Sequence, residues 1–484
     1  MSPDSAIYLG TARSLAGGKG LTVPFGDEIY TPLVQFPPLY PMLLALPAVF
    51  GADPVAAAVP LQVLLFIGNV TLIFIAVRLA SGKDTWAAFA AALIATFSPA
   101  TLLIHQMAWS EGFFILLELL ALLLVSNYLE TGRRRFLMLG ALAAGLGAAT
   151  RFAGLAFISA LVLGVLILQD QPLRLNTSRR LVDALIAGMI AALPLSLWFF
   201  LRIKDGGEAT TRQFAFHPPG IDHFRSAVDT ISGWMLVPNN APILLKAFLI
   251  LLVTAACTVL IFRYVKSPGF AIHNHPILGL TALSTAAYGS FILISLTFMD
   301  ANIPLDARIL ARAAVNLLIL ILGLLGREVK TDRTRWIANL VLVFVMVVMI
   351  WKDLQWSRDL YYSGGGYNSP MLRSQELIDQ IKALPEDSLL YSNSPEALYF
   401  QTGRSSLRLP KKIDLMSQKS NANLTDEMTQ LNQKLQASHG YIVYYTWVHG
   451  KTILSQEDLS HYLPVNVLIK TNMGLIFAVQ KTGE

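Results

Sequence analysis

The sequence predicts a mainly α-helical, multi-pass membrane protein with a small soluble α/β domain at its C-terminus. Three observations predict it. Of 484 residues, 54% are hydrophobic and only 14% are charged, too few charges to cover a soluble surface of that size. Ten apolar runs succeed one another between residues 55 and 351, most of them near the roughly 20 residues a spanning helix needs. Beyond them the apolar runs stop, and short segments of helical or alternating pattern take over.

Residues 1–54 contain no stretch apolar enough to cross a bilayer, and read as an outer loop with short interfacial helices. The loop holds Asp4, Tyr8, Arg13, the glycines Gly17, Gly18 and Gly20, Asp27, Glu28, and Pro37-Pro38-Leu39-Tyr40-Pro41. Asp4 and Tyr8, four residues apart, fall on one face of a helix. Functionally Asp4 is a candidate general base. The plainer reading, favoured by spacing alone, is a helix cap, because Ser2, Asp4 and Ser5 are capping types and Pro3 suits a first turn. A frayed tail is the third reading.

The membrane region, residues 55–351, comprises the runs Val55–Leu79, Trp86–Ile104, Phe113–Leu129, Phe136–Thr150, Phe152–Leu168, Leu181–Leu201, Ile243–Val265, Ile277–Phe298, Ile309–Gly326 and Trp336–Trp351. The two runs flanking Arg151 are short and are candidates to turn inside the membrane. Fourteen Lys and Arg residues fall in five alternate short connections: Arg78 and Lys83, Arg133 to Arg135, Arg174 with Arg179 and Arg180, Arg263 with Lys266, and Arg327 to Arg335. The positive-inside rule makes those connections cytoplasmic, so residues 1–54, the loop Arg202–Pro242 and the C-terminal domain face outward. Export of the N-terminal loop requires an upstream signal, so a further apolar helix is expected before Asp4.

In residues 352–484, Ser363-Gly364-Gly365-Gly366 is a turn signal. Helical patterns over Ser374–Leu384 and Leu424–Ser438 then alternate with strand patterns over Ser388–Ser392, Tyr441–Trp447, Val465–Lys470 and Leu475–Gln480. The net charge of +6 sits in membrane-flanking loops and points to lipid surfaces, not to nucleic acid. One cysteine, Cys257, excludes an intrachain disulfide and a thiolate metal cluster. No Walker A loop, HExxH helix or GxSxG elbow is present.

Charged residues at membrane depth are the remaining candidates for chemistry. His105, Trp109, Ser110 and Glu111 form a hairpin between two runs, where carboxylate and imidazole suit a divalent cation or an acceptor, together with Asp4. Equally, Ser110 or Glu111 caps the following helix. Glu118 faces the bundle interior or pairs with Arg151. Arg151 needs an anion, either a lipid phosphate or a carboxylate strut. Arg308 and Arg312, four residues apart, need one between them, and Asp306 and Asp300 are the local options. The loop Arg202–Pro242, with Lys204, Arg212, His217, His223 and Arg225, is either a lid or a mobile connection.

Together these stretches resemble the GT-C class of membrane glycosyltransferases, in particular the bacterial relatives of protein O-mannosyltransferases, the aminoarabinose transferases and the rhizobial lipopolysaccharide core transferases. The matching features are Asp4-Ser5-Ala6-Ile7-Tyr8, Leu15-Ala16-Gly17-Gly18, Pro37-Pro38-Leu39-Tyr40-Pro41, Ser110-Glu111, Thr150-Arg151-Phe152-Ala153-Gly154, and Asp306 with Arg308-Ile309-Leu310. The resemblance implies transfer of a sugar from a polyprenyl-phosphate donor to a glycan, lipid or protein acceptor at the outer face of a bacterial inner or plasma membrane. It gives Asp4 and Glu111 as catalytic residues, and Arg151 and Arg308 as groups near the donor phosphate. Tyr8, Tyr40, His105 and Arg312 complete the candidate substrate site. Some members of the class use a divalent metal ion, for which Asp4, Glu111 and His105 are the candidates; others need none. Three departures stand out: the helix that precedes the Asp in the class is missing, Ser5 replaces a second acid, and Arg312 stands where proline is common. The competing readings are a transporter or flippase of lipid-linked sugars, and an inactive membrane scaffold.

Overall fold

A computed structural model of the chain describes residues 2–168, 176–204, 214–266, 275–370, 372–413 and 419–479. Arg174, Arg212 and Gln480 lie outside them. Among the described residues six helices are long and apolar enough to span a membrane: α3 (Pro54–Ala80), α6 (Glu111–Thr131), α9 (Thr177–Lys204), α12 (Pro276–Phe298), α13 (Ala307–Glu328) and α14 (Asp332–Ser363). The run Trp86–Ile104 becomes a seventh only as a broken pair, α4 (Thr85–Thr96) and α5 (Pro99–Gln106), bent by 51°. Pro99 is the cause, since its ring cannot continue the helix that precedes it. Among the described residues, then, six or seven of the ten expected spans meet that length and apolarity. The runs on either side of Arg151 form shorter helices, α7 (Arg134–Thr150) and α8 (Gly154–Ile167), and the run from Ile243 belongs to α11 (Ile243–Lys266).

Small residues let these helices approach closely where the hydrophobic effect gives no drive. A Cβ on Gly145 of α7 would stand 2.5 Å from the carbonyl oxygen of Ala191 in α9. The basic residues gather at one end of the bundle. There Arg134 Nε lies 2.7 Å from the buried Asp183, Tyr128 donates to the same carboxylate at 2.6 Å, and Arg327 donates to the carbonyl of Ala80 at 2.7 Å.

At the opposite end the N-terminal segment forms α1 (Pro3–Ala16), a two-stranded ribbon of β1 (Thr22–Val23) and β2 (Thr31–Pro32), and α2 (Leu39–Ala45). The cap of α1 is Ser2, whose hydroxyl accepts from the amide of Ser5 at 3.3 Å, so Asp4 is not the cap but a first-turn residue. Within the long loop, α10 (Ile221–Trp234) docks on the connection before α13. Thr230 donates to Leu305 O at 3.1 Å, and His223 Nε2 lies 3.1 Å from Ala301 O.

The C-terminal region folds as a mixed sheet in the order β4-β3-β5-β7-β6. Its strands are β3 (Leu390–Ser392), β4 (Leu407–Arg408), β5 (Tyr441–Tyr445), β6 (Val465–Lys470) and β7 (Gly474–Val479), parallel from β4 to β5 and antiparallel beyond. Successive side chains of a strand face opposite ways. Accordingly Ile442 and Tyr444 pack under α17 (Leu424–Ser438) and α18 (Gln456–Tyr462), while Val443 and Tyr445 face α15 (Gln375–Ala383) and α16 (Pro395–Thr402). That second face is completed by the N-terminal segment: Ala6, Ile7, Phe25 and Leu33 share one core with Leu377, Leu398 and Ile476. The backbone of Gly26 bonds Ser406 O and Arg408 N at 3.1 and 2.7 Å. Helix α1 is thus held between the membrane bundle and the C-terminal sheet.

Candidate functional site

Four segments bring ionised groups together where α1 meets the bundle. Glu111 opens α6, Arg151 stands in the break between α7 and α8, and Arg308 occupies the first turn of α13. The Arg308 guanidinium donates to Asp4 Oδ2 and to Glu111 Oε1, both at 2.5 Å, and Arg151 Nη1 lies 2.7 Å from the same Glu111 oxygen. Glu111 Oε2 has no hydrogen-bond partner among the described residues. Two carboxylates and two guanidiniums make the cluster formally neutral.

Uncharged groups fix its geometry. Ser110 stands at the N-cap position of α6, yet its hydroxyl caps nothing; it bonds Tyr8 Oη and receives Arg151 Nη1, each at 3.0 Å. The ring of Trp109 lies 4.3 Å from the Arg308 guanidinium carbon, and its Nε1 donates to Ser2 Oγ at 2.6 Å. Burial raises the pKa of Tyr8 and of Tyr40, so both phenols stay neutral. Tyr40 meets Tyr8 edge-on and accepts from Gln62 Nε2 at 2.8 Å. Gln62 also reaches the carbonyl of Trp109 at 3.0 Å, which ties the hairpin to α3. Spacing had not singled out Gln62 or Asn69. The signal for them is two amides seven residues apart in the largely apolar run Val55–Leu79.

His105 and Arg312 stand apart from this cluster. His105 places Nδ1 2.7 Å from Thr101 O and Nε2 3.0 Å from Asn69 Nδ2, so both ring nitrogens are engaged. Asp4, Glu111 and His105 do not form a common donor set: among the described residues no three His, Cys, Asp or Glu side chains are disposed around one metal position. Arg308 stands between the two carboxylates in this arrangement. Arg312 is sealed deeper in the bundle against Glu118, donates to Ser284 Oγ at 2.8 Å, and lies 4.3 Å from the ring of Tyr288. Glu118 therefore pairs with Arg312, not with Arg151. Asp306 does not bridge the two arginines; it caps α13 by accepting from the amides of Arg308 and Ile309 at 3.1 and 3.0 Å. Asp300 likewise turns to its own loop, accepting from Asn302 N at 3.0 Å. The anions that Arg308 and Arg312 require come instead from Asp4, Glu111 and Glu118.

Beside the cluster, a cavity of about 1250 Å³ lies between α5, α10, α11, α13 and α14. Ala307, next to Arg308, lines it, and so does Cys257.

The family model for dolichyl-phosphate-mannose-protein mannosyltransferases matches residues 35–198. No curated protein matches the chain by sequence. Among solved structures, ArnT from Cupriavidus metallidurans bound to undecaprenyl phosphate is similar over 100% of this chain and 94% of that one, with a TM-score of 0.59 at 14% identity. Its apo form gives 0.47 at 14% identity over 98% and 92% of the two chains. The oligosaccharyltransferase AglB from Archaeoglobus fulgidus, in complex with an inhibitory peptide and a dolichol-phosphate, gives 0.47 at 11% over 100% and 71%. The fold assignment rests on the first of these structures. The chain is thus a polytopic membrane protein whose fold is similar to that of ArnT, with a family-model match over residues 35–198.

Proposed function

We propose that the chain transfers a sugar from a polyprenyl-phosphate donor to an acceptor at the outer boundary of the membrane, with Asp4 as base and Arg151 and Arg308 as the phosphate-binding pair. The observation that carries this reading is the meeting of Asp4, Glu111, Arg151 and Arg308, from four distant segments, in one ionic cluster. Arg308 is the exchangeable element. At rest it occupies the Asp4 carboxylate; when the donor phosphate arrives, the guanidinium turns to it and leaves Asp4 free to accept a proton. The acceptor oxygen then attacks the anomeric carbon from the face opposite the phosphate, and its proton passes to Asp4. The bond from that carbon to the phosphate oxygen breaks with both electrons going to the phosphate. Arg151 and Arg308 stabilise the charge that develops there, in a site where fixed donors act more strongly than water does. Glu111 Oε2, without a partner, is open to a sugar hydroxyl. The polyprenyl chain lies in the adjoining cavity, and the C-terminal sheet, on the same side, faces outward.

Asp4→Asn keeps the shape of the side chain and removes its basicity. We expect transfer from a polyprenyl-phosphate sugar to fall roughly 10²- to 10⁴-fold, the usual contribution of a positioned base, with melting temperature unchanged. Unchanged turnover would remove Asp4 from the reaction.

A further inference from the structure

We propose that the cavity beside the cluster contains a carbohydrate subsite, formed by Trp234, Trp356 and Asp353, that reads a sugar ring on a lipid-linked ligand. The 22 residues of α13 run from Arg308's end of the bundle to the basic end. At about 1.5 Å per residue that is about 33 Å, and Asp353, as far again along the returning α14, comes back to the level of Arg308.

The cavity is apolar along α11 and α13, where Ile250, Val253, Leu318 and Ile321 line it, and polar towards α10 and α14. At about 1250 Å³ it exceeds the roughly 300–1,000 Å³ of ordinary small-ligand sites, which leaves room for a headgroup and the start of a lipid chain. Two groups of its lining are unfinished. Both carboxylate oxygens of Asp353 and the indole nitrogen of Trp234 are buried without a hydrogen-bond partner. Neighbouring charges do not serve them: Lys246 is engaged by Asp229 Oδ1 and Asn239 O, each at 2.7 Å.

A buried donor and two buried acceptors left unmade are destabilising unless water or a ligand completes them, and a ligand that displaces the water must make the same bonds. The ligand must therefore both accept and donate. A fully ionised phosphate has no proton to give the Asp353 carboxylate; an ammonium cannot accept from Trp234; a hydrocarbon does neither. A sugar ring carries hydroxyls that accept from Trp234 and donate to Asp353, and its C–H faces pack on indole faces such as those of Trp234 and Trp356. The subsite takes its place in catalysis from the transferase reading above. Its existence is tested by binding alone, without turnover.

The test uses the full chain in lipid nanodiscs and equilibrium binding of four radiolabelled lipids, one at a time: undecaprenyl phosphate, undecaprenyl-phosphate mannose, a diacylglycerol and the matching hexosyl-diacylglycerol. Binding of one lipid without a co-substrate keeps this measurement separate from the Asp4→Asn assay, so either can fail alone. We expect a sugar-bearing lipid to bind about tenfold more tightly than its sugar-free counterpart. Asp353→Ala and Trp234→Phe should each abolish most of that advantage while leaving affinity for undecaprenyl phosphate within twofold. An advantage confined to the polyprenyl sugar assigns the subsite to the donor; one confined to the hexosyl-diacylglycerol assigns it to the acceptor. Variants that melt like the parent and keep the full sugar advantage, or a parent with no sugar advantage on either lipid, would overturn the proposal.

Discussion

The same two helices carry two ion pairs of identical chemistry and opposite character. Helix α6 supplies Glu111 and Glu118, α13 supplies Arg308 and Arg312, and the rungs Glu111–Arg308 and Glu118–Arg312 follow one another into the bundle. The deeper rung is closed to solvent: its side chains are only 3% and 4% exposed, and Ser284 donates to Glu118 and accepts from Arg312. The outer rung is shared, because Arg308 divides itself between Glu111 and an Asp4 side chain that is 27% exposed. Burial, not residue type, separates a strut from a site. A guanidinium sealed on all sides can only hold helices together, whereas one with a partly wet partner can exchange that partner for a ligand.

The sharpest way to break this contrast is at the deep rung. Removing one member of a buried pair leaves the other charge uncompensated and costs about 3–5 kcal/mol, whereas replacing both by apolar residues of similar volume is often close to neutral. Arg312→Met should therefore lower stability by about 3–5 kcal/mol, read as thermal unfolding in detergent, and the double variant Glu118→Leu/Arg312→Met should recover most of the loss. A single variant as stable as the parent would show that the deep pair is no strut.

The outer rung should respond in the other currency. Arg308→Gln removes a charge-stabilising donor and is expected to lower transfer roughly 10²- to 10³-fold, about 2.7–4 kcal/mol in the barrier. Its unfolding should shift by less than that of Arg312→Met, because Arg151 still pairs Glu111 and Asp4 is partly in water. A loss of stability equal to that of Arg312→Met, with turnover intact, would erase the distinction between the two rungs.

The sequence exposes one rung better than the other, for a physical reason. Glu111, Arg151 and Arg308 stand at the ends of apolar runs, where a charge is conspicuous and the bundle geometry forces the ends together; Asp4 lies in the polar segment before the first run, where spacing alone favours a helix cap. The partner of Glu118 was not legible, because choosing between Arg151 and Arg312 depends on the rotation and depth of three helices, which a pattern of apolar residues does not specify. The same limit applies to the span count: Arg151 marks a break in the membrane region, but helix length and the bend at Pro99 decide what spans. In the C-terminal sheet β3, β5, β6 and β7 fall on the strand-like runs of the sequence. The two-residue β4 and the short helices α16 and α18 are below the length at which periodicity speaks. Nor does any local pattern reveal that Ala6 and Ile7 complete the core of that distant sheet.

A third pair sets the wet limit of the same comparison. Arg13 of α1 donates to both oxygens of Asp53, which precedes α3, at 2.8 Å, and the two side chains are 36% and 43% exposed. The hydrogen bond from Arg13 lowers the Asp53 pKa below its ordinary value. The pair's contribution is thus fully present above the unfolded carboxyl pKa of about 3.9 and disappears as pH falls through the lower folded value. Screening by solvent limits it to about 0.5 kcal/mol. Asp53→Asn should accordingly lower the melting temperature slightly at pH 7 and leave no difference from the parent once the parent's Asp53 is protonated, at a pH below that lower folded value. A deficit that persists at that pH would mean that Asp53 acts through packing at the start of α3, and that exposure alone does not grade these ion pairs.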